Sequence, residues 1–279
     1  MSARALQRVA VRMLFDEPFL DRIYADVGSA TADCDLTADE RSWLTTPDRR
    51  AWTVDPLRRS RSLAALVEEF AVSVALFVRT TRDATVILDS FFSSETFHTG
   101  MQRGASLAQI FADWFVDQTI YRDIVQLEAS LARVRRIHES GSAGGTDAAT
   151  VVPESTVVLA GGVEVLELLA GTAEGFSAAL AALRTRPVAE AALDRNFDFP
   201  LPQPGTGTVG LLVDGRGPDP RLESLSVELA RSLRLANEPT TVVDFTARAA
   251  EHGADAEDCL GLLGSFAEDG TIAVIEDQA

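Results

Sequence analysis

Leu260–Glu276, LGLLGSFAEDGTIAVIE, is the stretch on which the reading of the fold turns. A leucine-bearing helix runs into Asp269-Gly270, a dipeptide suited to a tight turn, and then into a short β-branched strand. Working upstream, Asp255 is placed to cap this helix, and Thr240 to cap an earlier one running to about Glu251. Before that, Arg221–Leu235 puts Leu222, Leu225, Leu229 and Leu233 on one side of a further helix, and Thr208–Asp214, TVGLLVD, reads as a strand. Strand, three helices, strand is a winged-helix arrangement, a shape used by many DNA readers.

Charge argues against that use. The chain carries a formal charge of −17, and all 25 of its basic residues are arginine. From Ala191 to the end there are 6 Arg against 16 Asp and Glu, and Asp255–Asp269, the segment that would read DNA, holds five acids and no base. A duplex binder must neutralise phosphates with clustered cations, so such a helix repels its ligand along its length. A winged module has another use: an extended peptide can join a free strand edge through main-chain hydrogen bonds, with pockets selecting every second side chain. Val209, Leu211, Leu212 and Val213 are the expected peptide-binding residues. Their strand begins the unit, glycines 205, 207 and 210 keep its approach open, and Thr271–Ile275 is expected to cover its other side.

The rest of the chain reads as mostly helical. Ala5, Leu6, Val9, Met13 and Leu14 form a helical stripe, and Pro18 opens a second segment bearing Phe19, Ile23 and Tyr24. Thr37 and Glu40 have capping-box spacing. Asp55-Pro56 starts a helix expected to reach about Thr80, and two more follow near 104–117 and 120–138. Glu139–Ser155 is small and polar, a surface loop or linker; Thr156–Ala170 reads as two strands around a glycine turn, with a helix from Val163 as the alternative; a helix spans about Ala173–Arg184; and Leu201–Gly207, LPQPGTG, reads as a second hinge. The expected fold is mostly α with a small α+β part. It consists of a helical domain over 1–138, a linker over 139–155, a strand-helix connection over 156–190 and a winged-helix-like recognition domain over 191–279.

At 46% apolar and 24% charged residues the composition is globular. Two distant cysteines, Cys34 and Cys259, fit a reducing compartment. The N-terminus has no uninterrupted apolar core of a secretory signal, and no apolar run is long enough to span a bilayer, so a cytoplasmic protein is expected. His98, His138 and His252 lie far apart without metal-ligand spacing, and no nucleophile, phosphate-loop or dinucleotide motif occurs. No catalytic residue, metal or cofactor is therefore expected in this chain. One cluster stands out. Arg49, Arg50, Arg58, Arg59 and Arg61 interleave with Trp43 and Trp52 in the least acidic part of the chain. Ordinary ion pairing accounts for such a cluster as well as an interface does, but Arg and Trp make strong contact centres, and Trp43, Trp52, Arg58 and Arg59 are the expected partner interface.

Four stretches resemble a family. LFDEPFLDRIYADVGSATADCDLTADERSWL (14–44) has a Phe- and Leu-anchored helix followed by a Leu-Thr-x-x-Glu start. LVEEFAVSVALFVRTTRDATVILDSFF (66–92) has a Phe-Ala-x-Ser core and an arginine-bearing end. IFADWFVD (110–117) with IYRDIVQLEASLARVRR (120–136), and the C-terminal strand and three helices, complete the set. Together they resemble the partner subunits of multinuclear non-heme iron oxidative enzymes in ribosomal-peptide pathways of the methanobactin and thiaglutamate kind. The chain departs in having Val78-Arg79 where a Lys-Arg pair is usual, and in the length of its glycine-bearing loop. The resemblance implies a non-catalytic subunit of a hetero-oligomer that binds the leader of a precursor peptide and a multinuclear non-heme iron oxidase, with the iron in that partner. It implies no nucleic-acid or membrane partner. The competing reading is a winged-helix transcription regulator with a helical sensor domain.

Overall fold

The computed structural model describes residues 3–53, 58–140, 151–217, 219–251 and 255–275. The fold is mostly helical with two small antiparallel sheets, in the order α1 (Ala3–Phe15), α2 (Glu17–Ala25), α3 (Val27–Ala30), α4 (Ala38–Thr45), α5 (Arg58–Glu69), α6 (Ala71–Thr80), α7 (Ala84–Ser90), α8 (Glu95–Arg103), α9 (Leu107–Phe115), α10 (Arg122–Glu139), β1 (Thr156–Leu159), β2 (Val163–Leu169), α11 (Thr172–Leu183), α12 (Val188–Leu193), β3 (Thr208–Asp214), β4 (Arg221–Leu225), α13 (Val227–Arg234), β5 (Thr240–Thr241), α14 (Val242–Glu251), α15 (Ala256–Glu268) and β6 (Ile272–Ile275).

Two compact units emerge, and their bounds differ from those drawn on the sequence. A helical unit comprises 1–125 and 180–199; a mixed unit comprises 126–179 and 200–279. The connection expected over 156–190 is instead divided, because β1 and β2 are built into the sheets of the mixed unit. Residues 180–199 return to the helical unit: α12 packs on α5 and α6, burying Ala191 and Ala192, and Arg79 lies over the Phe199 ring at 5.5 Å. Leu201–Gly207 is no free hinge. Gly205 N–H donates to the Ala170 carbonyl (2.6 Å), Ala170 N–H donates to the Gly207 carbonyl (2.7 Å), and Pro202 is buried against Gly175. Most of the Glu139–Ser155 linker lies outside the described residues, as does the Asp55-Pro56 helix start.

In the helical unit local signals do what their chemistry requires. Asp16 accepts from Phe19 N–H to cap α2 (3.1 Å), and Thr37 and Glu40 close a reciprocal capping box on α4 (3.2 and 2.8 Å). The helix expected up to Thr80 is broken at Phe70 into α5 and α6. The core is aromatic: Phe91 sits among Phe92, Phe97, Phe111 and Trp114, all buried.

In the mixed unit, β5-β1-β6 form one sheet and β2-β3-β4 the other. With α13, α14 and α15 the first sheet makes a winged-helix-like layer, burying Val157, Leu233, Val242, Phe245, Leu263 and Ile272 in one core. Its central strand is β1, contributed from far upstream, where the sequence reading had assigned Thr208–Asp214 to the closing pair. The Asp269-Gly270 turn forms with Gly270 at φ 75°, a left-handed conformation that suits glycine, and Thr271 N–H donates to the Asp269 carboxylate (2.8 Å). Arg216 clasps this turn to the other sheet, donating to the Asp269 carbonyl (3.1 Å) and gripping Asp214 through Nε and a terminal nitrogen (2.9 and 2.8 Å). That grip, more than any other contact, holds the Asp214 carboxyl below its ordinary range.

Candidate functional site

The strand expected to offer a peptide edge has none. β3 is central, paired with β2 from Val163↔Asp214 to Leu169↔Thr208 and with β4 from Gly210↔Leu225 to Asp214↔Arg221. Val209, Leu211, Leu212 and Val213 are thus corrected from an edge to the middle of a sheet. Ile272–Ile275, expected to lie beside them, belongs to the other sheet. The physical reason is visible in the run itself. A strand apolar on both faces is one covered on both faces, and such strands are interior. Leu212 joins Ala230 and Leu233 of α13 in the core, while towards the opposite face Arg133 of α10 binds Glu164 through two bonds of 2.7 Å.

The open edge belongs to β4. Gly215 N–H donates to the Gly162 carbonyl (2.8 Å) and Ala170 N–H to the Gly207 carbonyl, which fixes the phase of the ladder, because hydrogen-bonded and non-hydrogen-bonded pairs alternate. The odd-numbered residues of β3 therefore bond to β2, and Gly210, Leu212 and Asp214 bond to β4. Their partners Leu225, Glu223 and Arg221 turn their main-chain groups inward. Leu222 and Ser224 turn theirs outward, where no further strand pairs with them among the described residues. No residue of β4 is buried. The outer edge of β2 is less open: Val163, Val165 and Leu168 are buried, and Val163 N–H already donates to the Ala160 carbonyl (3.0 Å).

Sequence reasoning missed β4 because Leu222 and Leu225 continue the leucine stripe of Leu229 and Leu233. The signal that separates them is Ser226, whose hydroxyl accepts from Leu229 N–H (3.1 Å) as the N-cap of α13, with Glu228 in the first turn. Glu167 of β2 holds α13 on the sheet through Arg231 (3.2 Å) and Arg234 (3.0 Å).

Comparison with family models, with curated proteins and with solved structures gives no match. The site therefore stands on its own geometry.

Of the four residues expected at a partner interface, the structure commits two to internal packing. Trp52 donates from Nε1 to the Tyr24 hydroxyl (3.0 Å), which in turn donates to the Pro47 carbonyl. Arg59 donates to the Phe15 carbonyl (3.2 Å), to the Asp89 carbonyl and to the Asp89 carboxylate (2.9 Å), and lies over Phe92. These two are corrected from contact residues to stitches between helices. Arg58 is half-buried above the Phe15 ring at 5.9 Å, and Arg49 pairs with Asp21 and Glu17 (2.6 and 3.3 Å). Of the four, Trp43 presents the large exposed apolar surface, with 57% of its area exposed.

No group of three or more His, Cys, Asp and Glu residues is placed to hold a metal ion among the described residues, and none of their helices is long and apolar enough to cross a membrane. Cys259 is buried and its thiol is pushed up by that burial; Cys34 is pushed up by burial and then by Asp33. A cavity of about 650 Å³ in the helical unit is lined by Arg8, Asp35, Met101, Gln102, Arg103 and His98.

His98 has its pKa lowered to about 4, first by burial and then by Arg12; Asp16, 4.0 Å away, pulls it back only in part. The folded state thus holds His98 neutral where an unfolded chain, with an ordinary pKa near 6.5, takes up a proton. Stability tied to this residue is full above pH about 6.5 and is lost as pH falls from there towards 4. The expected loss is about 2 kcal/mol, allowing for residual solvent access. Urea denaturation of wild type and His98→Gln at pH 7.5 and 5 checks it: the two stabilities should converge at the lower pH, and a constant difference would contradict the assignment.

Proposed function

We propose that the chain is a non-catalytic adaptor. It takes an extended leader segment of a ribosomally made precursor peptide as an added strand on β4 and presents that peptide to a separate multinuclear non-heme iron oxidase, in a hetero-oligomer. The observation that carries the reading is the open edge of β4, with Leu222 and Ser224 turned outward on a sheet whose other edge, β2, is less open. Strand addition gives affinity through the main chain and selectivity through alternate side chains, the combination suited to a leader that must be held but not altered. The exposed Trp43 supports placing the oxidase contact on α4. The regulator reading gains nothing from the fold. In sequence α15 carries Glu257, Asp258 and Glu268 and no arginine, so the helix in the reading position is the wrong sign for phosphate.

Ser224→Pro tests the edge directly. Proline removes an outward N–H but no bond to β3, and edge strands tolerate it on their solvent side. Glu223→Pro removes an inward bond and serves as the damaged-sheet control. Against a displayed library of ten-residue peptides, wild type should enrich a defined set. Ser224→Pro should bind that set at least about tenfold more weakly, a loss equal to one or two main-chain hydrogen bonds, with an unchanged circular dichroism spectrum. Enrichment of no peptide, or sequence-dependent binding of duplex DNA at moderate salt, overturns the reading.

A further inference from the structure

We infer that the strand received by β4 carries a lysine or arginine beside Glu223, so that the occupant is a basic-patterned foreign peptide and not a second copy of this chain. The inference rests on the strand-addition reading above and specifies the chemistry of its ligand.

Residues directly opposite one another in an antiparallel pair point to the same face. Arg221, Glu223 and Leu225 therefore share the α13 face with Asp214, Leu212 and Gly210. Across this row Arg221 meets Asp214, a charge of opposite sign. Glu223 meets Leu212, which is buried, and the next residue inward is Val165, also buried. The inner side of Glu223 thus offers it no cation. The arginines of α13 are held by Glu167 on the far strand, and Glu223 has no ion-pair partner among the described residues. Its outer side is the free edge. A cation on an added strand, directly beside Glu223, supplies the cross-strand pair that the chain itself does not.

The same geometry disfavours self-pairing. Two copies of β4 meeting antiparallel must place outward residues opposite outward residues, which leaves three registers. Centred on Glu223, the pair sets two glutamates side by side, an unfavourable contact. Centred on Leu222, it brings Glu223 opposite Arg221 but sets Ser224 at each end opposite Pro220, which has no N–H to give, so the outermost main-chain bond is lost on both sides. Centred on Ser224, it sets Leu222 opposite Ser226, whose carbonyl is already bound by Ala230 N–H (3.0 Å). The excess of acid over base from Ala191 onward adds a long-range attraction for a cationic strand that weakens with salt.

Two synthetic peptides test this: ten residues, acetylated and amidated, alternating threonine and valine, and differing only in a central arginine or glutamate. Fluorescence titration of the full chain at low salt should give the arginine peptide an advantage of about three- to tenfold, the size of one favourable against one unfavourable cross-strand charge pair. Glu223→Arg should reverse the preference, and Ser224→Pro should remove binding of both. Equal affinities in wild type, or a preference that Glu223→Arg leaves in place, overturns the charge assignment while loss in Ser224→Pro still upholds strand addition. Binding untouched by Ser224→Pro, or no binding of either peptide, overturns both. Concentration-dependent dimers abolished by Ser224→Pro would make a second copy the occupant and overturn the inference.

Discussion

Phe91→Ala is expected to cost the helical unit about 3–5 kcal/mol, a large part of the roughly 5–15 kcal/mol margin typical of a folded domain. Phe91 is fully buried, and its ring stands 5.1–5.3 Å from those of Phe92, Phe97, Phe111 and Trp114, edge-to-face with Phe97 and Phe111 and tilted against the other two. Alanine removes the transfer free energy of the ring. It also leaves a void lined by four aromatic groups that cannot collapse together, because each is held by its own helix turn or by a second ring: Phe97 by Phe15 and Phe92, Phe111 by Phe70 and Phe115. Phe91→Leu fills part of that space and should cost roughly half as much. Urea denaturation followed by tryptophan fluorescence reads the difference, since Trp114 is in the cluster. A loss under about 1 kcal/mol for Phe91→Ala would mean that the cluster is not close-packed.

This cluster also marks where the sequence was easy to read. LVEEFAVSV and IFADWF carry apolar residues on several sides, and only a buried helix can use them all. Capping signals were equally direct: Thr37 with Glu40, and Pro18 after Asp16, act within one turn and need no tertiary information. Pairing was harder. Thr156–Leu159 and Ile272–Ile275 were each recognisable as strands, but nothing local says that they pair across more than a hundred residues, or that β1 and β2, separated only by Ala160-Gly161-Gly162, belong to different sheets. The open edge was missed for the same reason. An edge strand is defined by what does not pair with it, and β4 hid inside a leucine stripe that continues into α13. Arg59 was hard to read for a different reason: Arg59 and Asp89 are 30 residues apart, so their pairing is invisible in the sequence and a structural stitch resembles a docking residue.

Gly210→Val is expected to destabilise the mixed unit by about 3 kcal/mol, the upper range for overpacking against rigid neighbours. The residue is glycine for reasons of space. A Cβ at this position would come within 2.4 Å of Ala230 Cβ, 2.8 Å of the Ser226 carbonyl oxygen and 3.1 Å of Leu225 Cβ. Ala230 is fully buried in the face of α13 that lies on β3, and Ser226 is that helix's N-cap, so the intrusion meets backbone and a short side chain, neither of which can swing away. Relief requires lifting α13, which strains its ion pairs to Glu167 and opens the core around Leu212 and Leu233. Gly210→Ala should cost less and allows a sharper test. Ala230→Gly removes the 2.4 Å contact but leaves the Ser226 carbonyl in place, so the double variant Gly210→Ala with Ala230→Gly should recover part of the stability lost in Gly210→Ala, giving a coupling of about 1 kcal/mol in a double-mutant cycle. Because Ser226 follows β4 directly, the lifted helix should also drag the edge and weaken the proposed peptide capture, whereas Phe91→Ala, in the other unit, should act on it only through unfolding. A stability of Gly210→Val within about 0.5 kcal/mol of wild type, or additivity in the cycle, would show that α13 does not lie on β3 at this distance.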